Sequence, residues 1–580
     1  QIMSLKNSPF HGFLRQLNSI LGKNTQRRRQ QSAFGIPAEQ LETRQLLAAD
    51  LSKVLYQEAI LDTIGPDSQI PSYFVAFTGP MNAADIQAAT GASSVTPYEP
   101  MPNTFDVVFD TPITLQSAAD KISVLNNFQY LSPNVDQAVE LRSIPNDTLF
   151  GAQWYLNNTG QTNGTVGEDL NVTSVWDKYN GSGVTVAVVD DGVDILHQDL
   201  IGNISAAGID LVSNDNDPSP TSNRATHGTA VAGVIAAVGN NSQGIAGTAF
   251  GADIAGIRLI NFGPTGLNGV PSTRIATALT HALNTVLVSN NSWGPDGNGD
   301  ISVLPAQVAN ALDNGTVNGR AGLGIVYVWA AGNDAATNDR VDYDPYASSR
   351  YVIAVGAVDD TGKHAAYSET GSSLLVSAYS APAAIMTLDL PDDGGVNADP
   401  PPSNTVPNPN PDPDQERYNG VLLNRNYTQT LIGDTSTAAA EVSGVVALML
   451  DANSTLSYRD VMDILVRTSR RTDPNDVDWV QNGAGLWVNY KYGFGVVDAQ
   501  AAVTMAETYT NRAPLVTEST NLVQVNQIVS DSTINGVTKS VDSTSAISLE
   551  HVELSINAAH QRRGDLRVTL ISPNGTRAVM

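Results

Sequence analysis

The sequence predicts an α/β domain built on a parallel sheet, with a small α+β unit before it and an all-β segment after it. Three observations carry this prediction. Between residues 143 and 510, short and continuously apolar runs alternate with helical stretches: VTVAVVD, IAGIRLI, TVLVSNNSW, GIVYVWAAG and YVIAVGAV. Strands that apolar must be covered on both faces, which calls for crossover helices on either side of a parallel sheet. The stretch from Gly433 to Leu450, GDTSTAAAEVSGVVALML, is apolar all round and reads as a helix buried among those strands. A chain of 580 residues also exceeds what one core can hold, so two to four domains are expected.

Residues 1–50 are polar and irregular and are assigned no fold. The basic cluster Arg27-Arg28-Arg29 is not followed by the apolar core of a signal peptide. Leu41 to Asp50, LETRQLLAAD, resembles a motif near the start of large exported proteins of some bacteria, so a secreted or cell-surface address is expected; the same ten residues also fit an amphipathic helix. Residues 51–142 form the α+β unit. SYFVAF and FDVVFD read as strands, and AADIQAAT and LQSAADKISVL have helical spacing. The unit ends at AVELRSIPND, where Arg142 precedes a turn and an exposed, cuttable joint is expected.

Within 143–510, the Pro/Asn/Asp tract at about 388–417, with ADPPPSNTVPNPNPDPDQE, cannot fold on its own and is expected as an extended surface insertion. In 511–580, HVELSIN and LRVTLISPNG alternate apolar and polar residues, so a β domain is expected to begin here and to be incomplete at Met580, with Ser572-Pro573-Asn574-Gly575 as a hairpin turn.

The formal charge of −27 argues against nucleic acid or an anionic membrane as partner and suits a protein that holds cations or meets basic substrates. There is no cysteine, hence no disulfide, no thiol nucleophile and no cysteine-bound zinc. No apolar run approaches the length that spans a bilayer.

Ligands in parallel sheets sit beyond the carboxyl ends of the strands, so the polar residues there are the ones to weigh. Ser436 lies at the mouth of the buried helix, beside first-turn amides without partners. Taken alone, Asp-Thr-Ser before a helix is an ordinary N-cap. Asp190 ends the strand VTVAVVD, where a carboxylate can orient an imidazolium. His227 opens ATHGTAVAGVIAA, whose Gly228, Ala230, Ala232 and Gly233 let neighbours approach; a histidine there can act as general base. Asn333 ends the strand in VWAAGN, where its amide can donate to an oxyanion. Each has an ordinary structural reading by itself; the order Asp, His, Asn, Ser within one sheet points to nucleophilic catalysis. The G-x-S-x-G signature of α/β-hydrolases is absent.

With DTLFGAQWYLNNTGQ, VAVVDDGVD, HGTAVAGVIAA, NNSWGPDG, VWAAGN, the helix after Ser436 and YGFGVVDAQAAV, the chain resembles the subtilisin-like serine proteases over most of 145–580. The Asp190-Asp191 doublet and Ser292-Trp293-Gly294-Pro295 resemble the kexin/furin-like branch, and residues 551–580 resemble its jelly-roll-like P, or Homo B, domain.

The resemblance implies a subtilisin-like sheet, a propeptide at 51–142 that inhibits its own enzyme, and hydrolysis of polypeptides. Ser436 would attack, His227 would take the proton, Asp190 would hold His227, and Asn333 with the Ser436 amide would bind the oxyanion. Ser292, Trp293 and Gly294 would lie along the substrate, and Asp344 would form the floor of a pocket for a basic residue; Ile275 stands where furin-type enzymes have a further pocket acid. Self-cleavage near Arg142 would follow. The resemblance also implies Ca²⁺ at Asp147, Asp199, Val238, Asn241, Gln243 and Ile245, and a second site at Asp339 and Glu369, with a third acid near Asp296-Gly297. Two positions depart from the pattern: Asp434 replaces the Gly before Thr-Ser, and Ala440 replaces a Pro. Ala440 suits a helix. Asp434 puts a charge beside the oxyanion and leaves a rival reading open, a subtilisin fold that binds at a surface with weak or no turnover.

Overall fold

The computed structural model describes residues 68–98, 101–134, 144–390, 417–418, 421–422, 427–428 and 434–580, apart from residues 223, 264, 265, 268, 296, 522, 528, 530–535, 544–547 and 559–565. The export-like motif at 41–50, Arg27 to Arg29, Arg142, Asp296, Gly433 and most of the Pro/Asn/Asp tract lie outside them. The chain divides into two compact units, residues 1–140 and 141–580.

In the first unit, strand β1 (Ile70–Phe77), helix α1 (Ala83–Thr90), strands β2 (Ser94–Pro97) and β3 (Thr104–Ile113), helix α2 (Leu115–Ile122) and strand β4 (Phe128–Pro133) form one sheet in the order β2-β3-β1-β4 with two helices. All pairings are antiparallel. Side-chain caps from Asn82 onto the Ala84 amide and from Thr114 onto the Ser117 amide start the helices. Tyr73, Val75, Ile86, Val107, Ile122 and Leu131 are fully buried between sheet and helices.

The second unit is organised by a parallel sheet whose strands bury both faces. It contains β5 (Thr185–Asp190), β6 (Ile209–Asp210), helix α3 (His227–Ala236), β7 (Asp253–Arg258), the two-residue hairpin strands β8 (Phe262–Gly263) and β9 (Gly266–Leu267), helix α4 (Ser272–Leu279), β10 (Val286–Asn291), helix α5 (Ala306–Asn318), β11 (Val326–Ala330), β12 (Val352–Val358), β13 (Val376–Tyr379), and helices α6 (Thr435–Ala452), α7 (Tyr458–Thr468) and α8 (Ala499–Glu507). The seven-stranded order is β13-β12-β11-β10-β5-β7-β6, parallel throughout. Successive residues alternate between two cores: Val186 and Val188 of β5, and Val326 and Val328 of β11, join α3, α6 and α8, whereas Ala187, Val189, Tyr327 and Trp329 join α4 and α5 on the other face.

Helix α6 lies in the larger core, buried from Thr435 to Leu450 and packed on β10 to β13, α3 and α8. Each fully buried Val or Leu there stabilises the fold by about 1.5–3 kcal/mol. That burial holds Ser436 against the carboxyl ends of the strands. Ala440 continues the helix without a break.

The C-terminal segment differs from its sequence pattern. HVELSIN forms no strand; the ladder there joins Thr569–Ile571 to Arg577–Val579, antiparallel, across a turn at Ser572–Gly575. Gly575, at φ 84°, sits where only glycine is unstrained. Alternation makes a strand only where a partner strand lies beside it, and Val552, Leu554 and Ile556 of HVELSIN are exposed.

Candidate active site

Asp190 ends β5 and His227 begins α3, and the two meet: His227 Nδ1 lies 3.0 Å from both carboxylate oxygens of Asp190, which also accepts the Asp191 N–H at 2.8 Å. The second acid of the doublet serves the backbone. Asp191 accepts the N–H groups of His227 at 3.2 Å and of Gly228 at 2.8 Å, and so caps α3 from outside, since its own N-cap, Thr226, makes no side-chain cap. A Cβ on Gly228 would lie 2.2 Å from the Gly192 carbonyl, so this close approach requires glycine. Burial pulls the His227 pKa down, but the Asp190, Asp434 and Asp191 carboxylates outweigh it and raise the pKa. Burial and the charge of Asp190 raise that of Asp191.

Ser436 is the second residue of α6. Its Oγ donates to the Ser292 carbonyl at 3.5 Å, and Ser292 Oγ donates to the Ser436 carbonyl at 3.3 Å; the hydrogen bond to His227 that acyl transfer requires is not made in this conformation. Asn333, three residues beyond β11, accepts the Thr435 N–H at 2.9 Å and the Thr435 hydroxyl at 2.8 Å. Both bonds use its side-chain oxygen and leave the amide nitrogen as donor. The other expected donor, the Ser436 N–H, is engaged: it donates to the Asp434 carboxylate at 2.9 Å. Asp434 has φ −143°, an extended conformation open to any residue, so the glycine of the family pattern is not needed for backbone reasons here.

Ser292, Trp293 and Gly294 continue from β10 towards Asp344. A Cβ on Gly294 would lie 2.8 Å from Asp344 Oδ2, while Asp344 Oδ1 accepts the N–H groups of Tyr346 at 2.6 Å and Ala347 at 3.2 Å. One carboxylate oxygen is thus held and the other lies against the Ser292–Gly294 segment. Burial pushes the Asp344 pKa up to about 7. Trp293 packs edge-on to Trp329, which stacks on Tyr346. Ile275 is buried in α4.

The two sets of oxygen ligands are brought together unequally. Asp147 and Asp199 are both buried. Asp147 accepts the Asn240 N–H at 2.8 Å, and Asp199 accepts the Ile245 N–H at 2.9 Å and Asn241 Nδ2 at 2.6 Å. The Asn241 oxygen faces the Gln243 N–H at 2.7 Å, so the amide nitrogen, not the oxygen, points to Asp199. The Val238 N–H bonds the Asp199 carbonyl at 2.8 Å. Burial, reinforced by the charge of Asp147, raises Asp199 to about 6. Two buried carboxylates whose charges repel, with amide and hydroxyl groups on their oxygens, fit a hard cation.

In the second set, burial, Asp339 and then Asp344 and Asp334 raise Glu369 to about 8. Asp334, which the sequence reading does not single out, lies against Gly297: a Cβ there would be 2.1 Å from its Oδ2. Gly332, at φ 106°, lets Glu369 approach to where a Cβ would lie 2.2 Å away. Among the described residues, no three acidic or histidine side chains converge as metal ligands.

This arrangement has relatives. The Subtilase family model matches residues 181–495, more than half of the chain. The chain belongs to the subtilase family. The Proprotein convertase P-domain model matches residues 549–580, which joins the kexin-like branch to the C-terminal segment. A PC3-like endoprotease variant B of Hydra vulgaris is 35% identical over 455 residues, covering 77% of this chain and 59% of its own. Human proprotein convertase subtilisin/kexin type 5 is 34% identical over 449 residues, covering 75% of this chain and 22% of its own. The chain thus spans only part of the length of these curated relatives. Among solved structures, the Aeromonas sobria serine protease in complex with its chaperone aligns with a TM-score of 0.65 at 26% identity, over 77% of this chain and 82% of that one.

Proposed function

We propose that this chain is a secreted, calcium-dependent serine endopeptidase that cleaves polypeptides after a basic residue. The observation that carries the reading is the Asp190–His227 contact at 3.0 Å, on the sheet whose β11 leads to Asn333 and against which the helix of Ser436 packs. Ser436 Oγ attacks the peptide carbonyl, His227 Nε2 takes its proton and later delivers it to the leaving amine, and Asp190 fixes the ring and stabilises the imidazolium. Asn333 Nδ2, oriented by Thr435, and the Ser436 N–H receive the charge that develops on the carbonyl oxygen. Ser292 to Gly294 align the substrate backbone, and Asp344 pairs with its Arg or Lys side chain.

Asp147, Asp199 and the Val238–Ile245 loop, through Asn241, Gln243 and the main chain, would hold one calcium ion; Asp339 and Glu369 would contribute to a second. Bound calcium would supply the positive charge that these buried carboxylates lack. Residues 51–142 act as an intramolecular inhibitor, released by cleavage near Arg142. Export to the cell surface or beyond agrees with the LETRQLLAAD motif, and no helix among the described residues is long and apolar enough to cross a membrane.

Mass spectrometry of the purified chain tests this reading. Wild type should lose its N-terminal residues by a cut near Arg142, and Ser436→Ala should stay whole. An intact N-terminus in both wild type and Asp434→Gly, each folded and supplied with calcium, contradicts it. The rival reading, a subtilisin fold that binds without turnover, draws on one observation: the Asp434 carboxylate on the Ser436 N–H.

A further inference from the structure

The N–H that a tetrahedral adduct on Ser436 needs already has a charged acceptor. Asp434 is the N-cap of α6, and its carboxylate accepts from Ser436 N at 2.9 Å. The backbone on either side is fixed. Ser380 Oγ donates to the Asp434 carbonyl at 2.8 Å, and Asn333 holds both the N–H and the hydroxyl of Thr435. The carboxylate can therefore leave the Ser436 N–H only by turning about its own side-chain bonds.

We propose that Asp434 is a built-in occupant of the oxyanion position, so that acylation of Ser436 requires its carboxylate to give up the Ser436 N–H. The inference rests on the serine peptidase reading and names a positioning residue within it. A charged acceptor holds an N–H about twice as strongly as a neutral one, so a ground-state peptide carbonyl displaces Asp434 poorly. An oxyanion competes as an equal in charge, but the two negative groups repel each other. The charge of Asp434 reaches two titratable groups, His227 at the start of α3 and Tyr367 in the segment after β12. The charge of Asp434 is felt at His227, so while His227 carries a proton a carboxylate that leaves the Ser436 N–H has a cation to turn towards. The device therefore slows the approach to the transition state while weighing little on substrate binding.

The test compares wild type, Asp434→Gly and Asp434→Asn, each first checked for the wild-type melting temperature and circular dichroism. The probes are a peptide aldehyde ending in arginine, which forms a tetrahedral adduct on a nucleophilic serine, and the matching peptide amide, which does not. Asp434→Gly should bind the aldehyde roughly a hundredfold to a thousandfold more tightly, the scale of one oxyanion donor, with unchanged affinity for the amide. Asp434→Asn, which keeps an acceptor without charge, should fall between. The gain should appear in kcat and not in KM. A wild type that is inert to a fluorophosphonate while Asp434→Gly reacts supports the proposal in its strongest form. A reactive wild type whose folded variants bind the aldehyde no more tightly overturns this proposal alone. If wild type and both variants fold yet none reacts, the peptidase reading falls and takes the proposal with it.

Discussion

Asp191 holds the backbone that presents His227: its two carboxylate oxygens accept the His227 N–H at 3.2 Å and the Gly228 N–H at 2.8 Å, while Asp190 takes the imidazole ring at 3.0 Å. Adjacent acids at one strand end thus divide the work of fixing one histidine. The cap also places negative charge at a helix N-terminus, where the helix dipole favours it.

Asp191→Ala should therefore harm more than local stability. Loss of the cap should cost about 1–2 kcal/mol in denaturant melts. Activity should fall by roughly tenfold to a hundredfold, because small displacements of a catalytic group are costly. Kinetics and melts on the same sample check this, and a variant with full activity would show that Asp190 alone positions His227.

The proposed calcium site at Asp147 and Asp199 makes a prediction about pH. Asp199 is raised to about 6, so without metal its contribution is full below the ordinary carboxylate pKa and is lost as pH rises through about 6. With calcium bound the deprotonated form is favoured and the trend reverses. Differential scanning calorimetry in chelator and in calcium should show a larger calcium gain near about pH 8 than near about pH 5, on the order of 2–4 kcal/mol at saturating metal. Asp199→Asn should abolish most of it. An equal Tm in both buffers would remove calcium from that loop.

Glu441 is a carboxyl inside α6, fully buried, with one oxygen accepting the Tyr379 N–H at 2.8 Å and the other without a partner. Burial raises its pKa well above that of ordinary glutamate. Stability should fall as pH rises above the ordinary glutamate range, because unfolding releases this proton. Glu441→Gln keeps the acceptor and should flatten the alkaline side of the Tm–pH curve. Glu441→Leu strands the Tyr379 N–H and should cost about 1–3 kcal/mol. An unchanged curve in Glu441→Gln would show that Glu441 does not set it.

Asp344 offers a direct reading of specificity. With its pKa near about 7, its charge grows as pH rises through that value, so the preference for arginine over a neutral side chain before the cleaved bond should grow over the same range. Asp344→Asn should lose roughly a hundredfold of kcat/KM on arginine peptides and little on leucine peptides, the scale of a buried charged hydrogen bond. Equal losses on both would assign Asp344 a structural role.

The strands were legible because both faces are apolar: TVAVVD and VYVWA show continuous runs that only a covered parallel sheet explains. Asp190, His227, Asn333 and Ser436 were legible because strand and helix ends follow from those runs. Asp191 as a cap, Thr435 as the clamp on Asn333, and Asp334 against Gly297 were not, since each depends on chain segments that meet only in the fold. The Asp434 contact was half legible: its charge was visible beside Ser436, but its extended backbone and its hold on the Ser436 N–H were not. HVELSIN misled because alternation describes a side-chain pattern and not the partner strand that makes it a ladder.

The central claim is that Ser436 is a nucleophile activated by His227, and reaction with a fluorophosphonate tests it most directly. Calcium-loaded, folded protein should gain one phosphonyl group, mapped to the peptide containing Ser436, and both Ser436→Ala and His227→Ala should block it. Folded wild type that stays unmodified, with Asp434→Gly equally inert, would contradict the account.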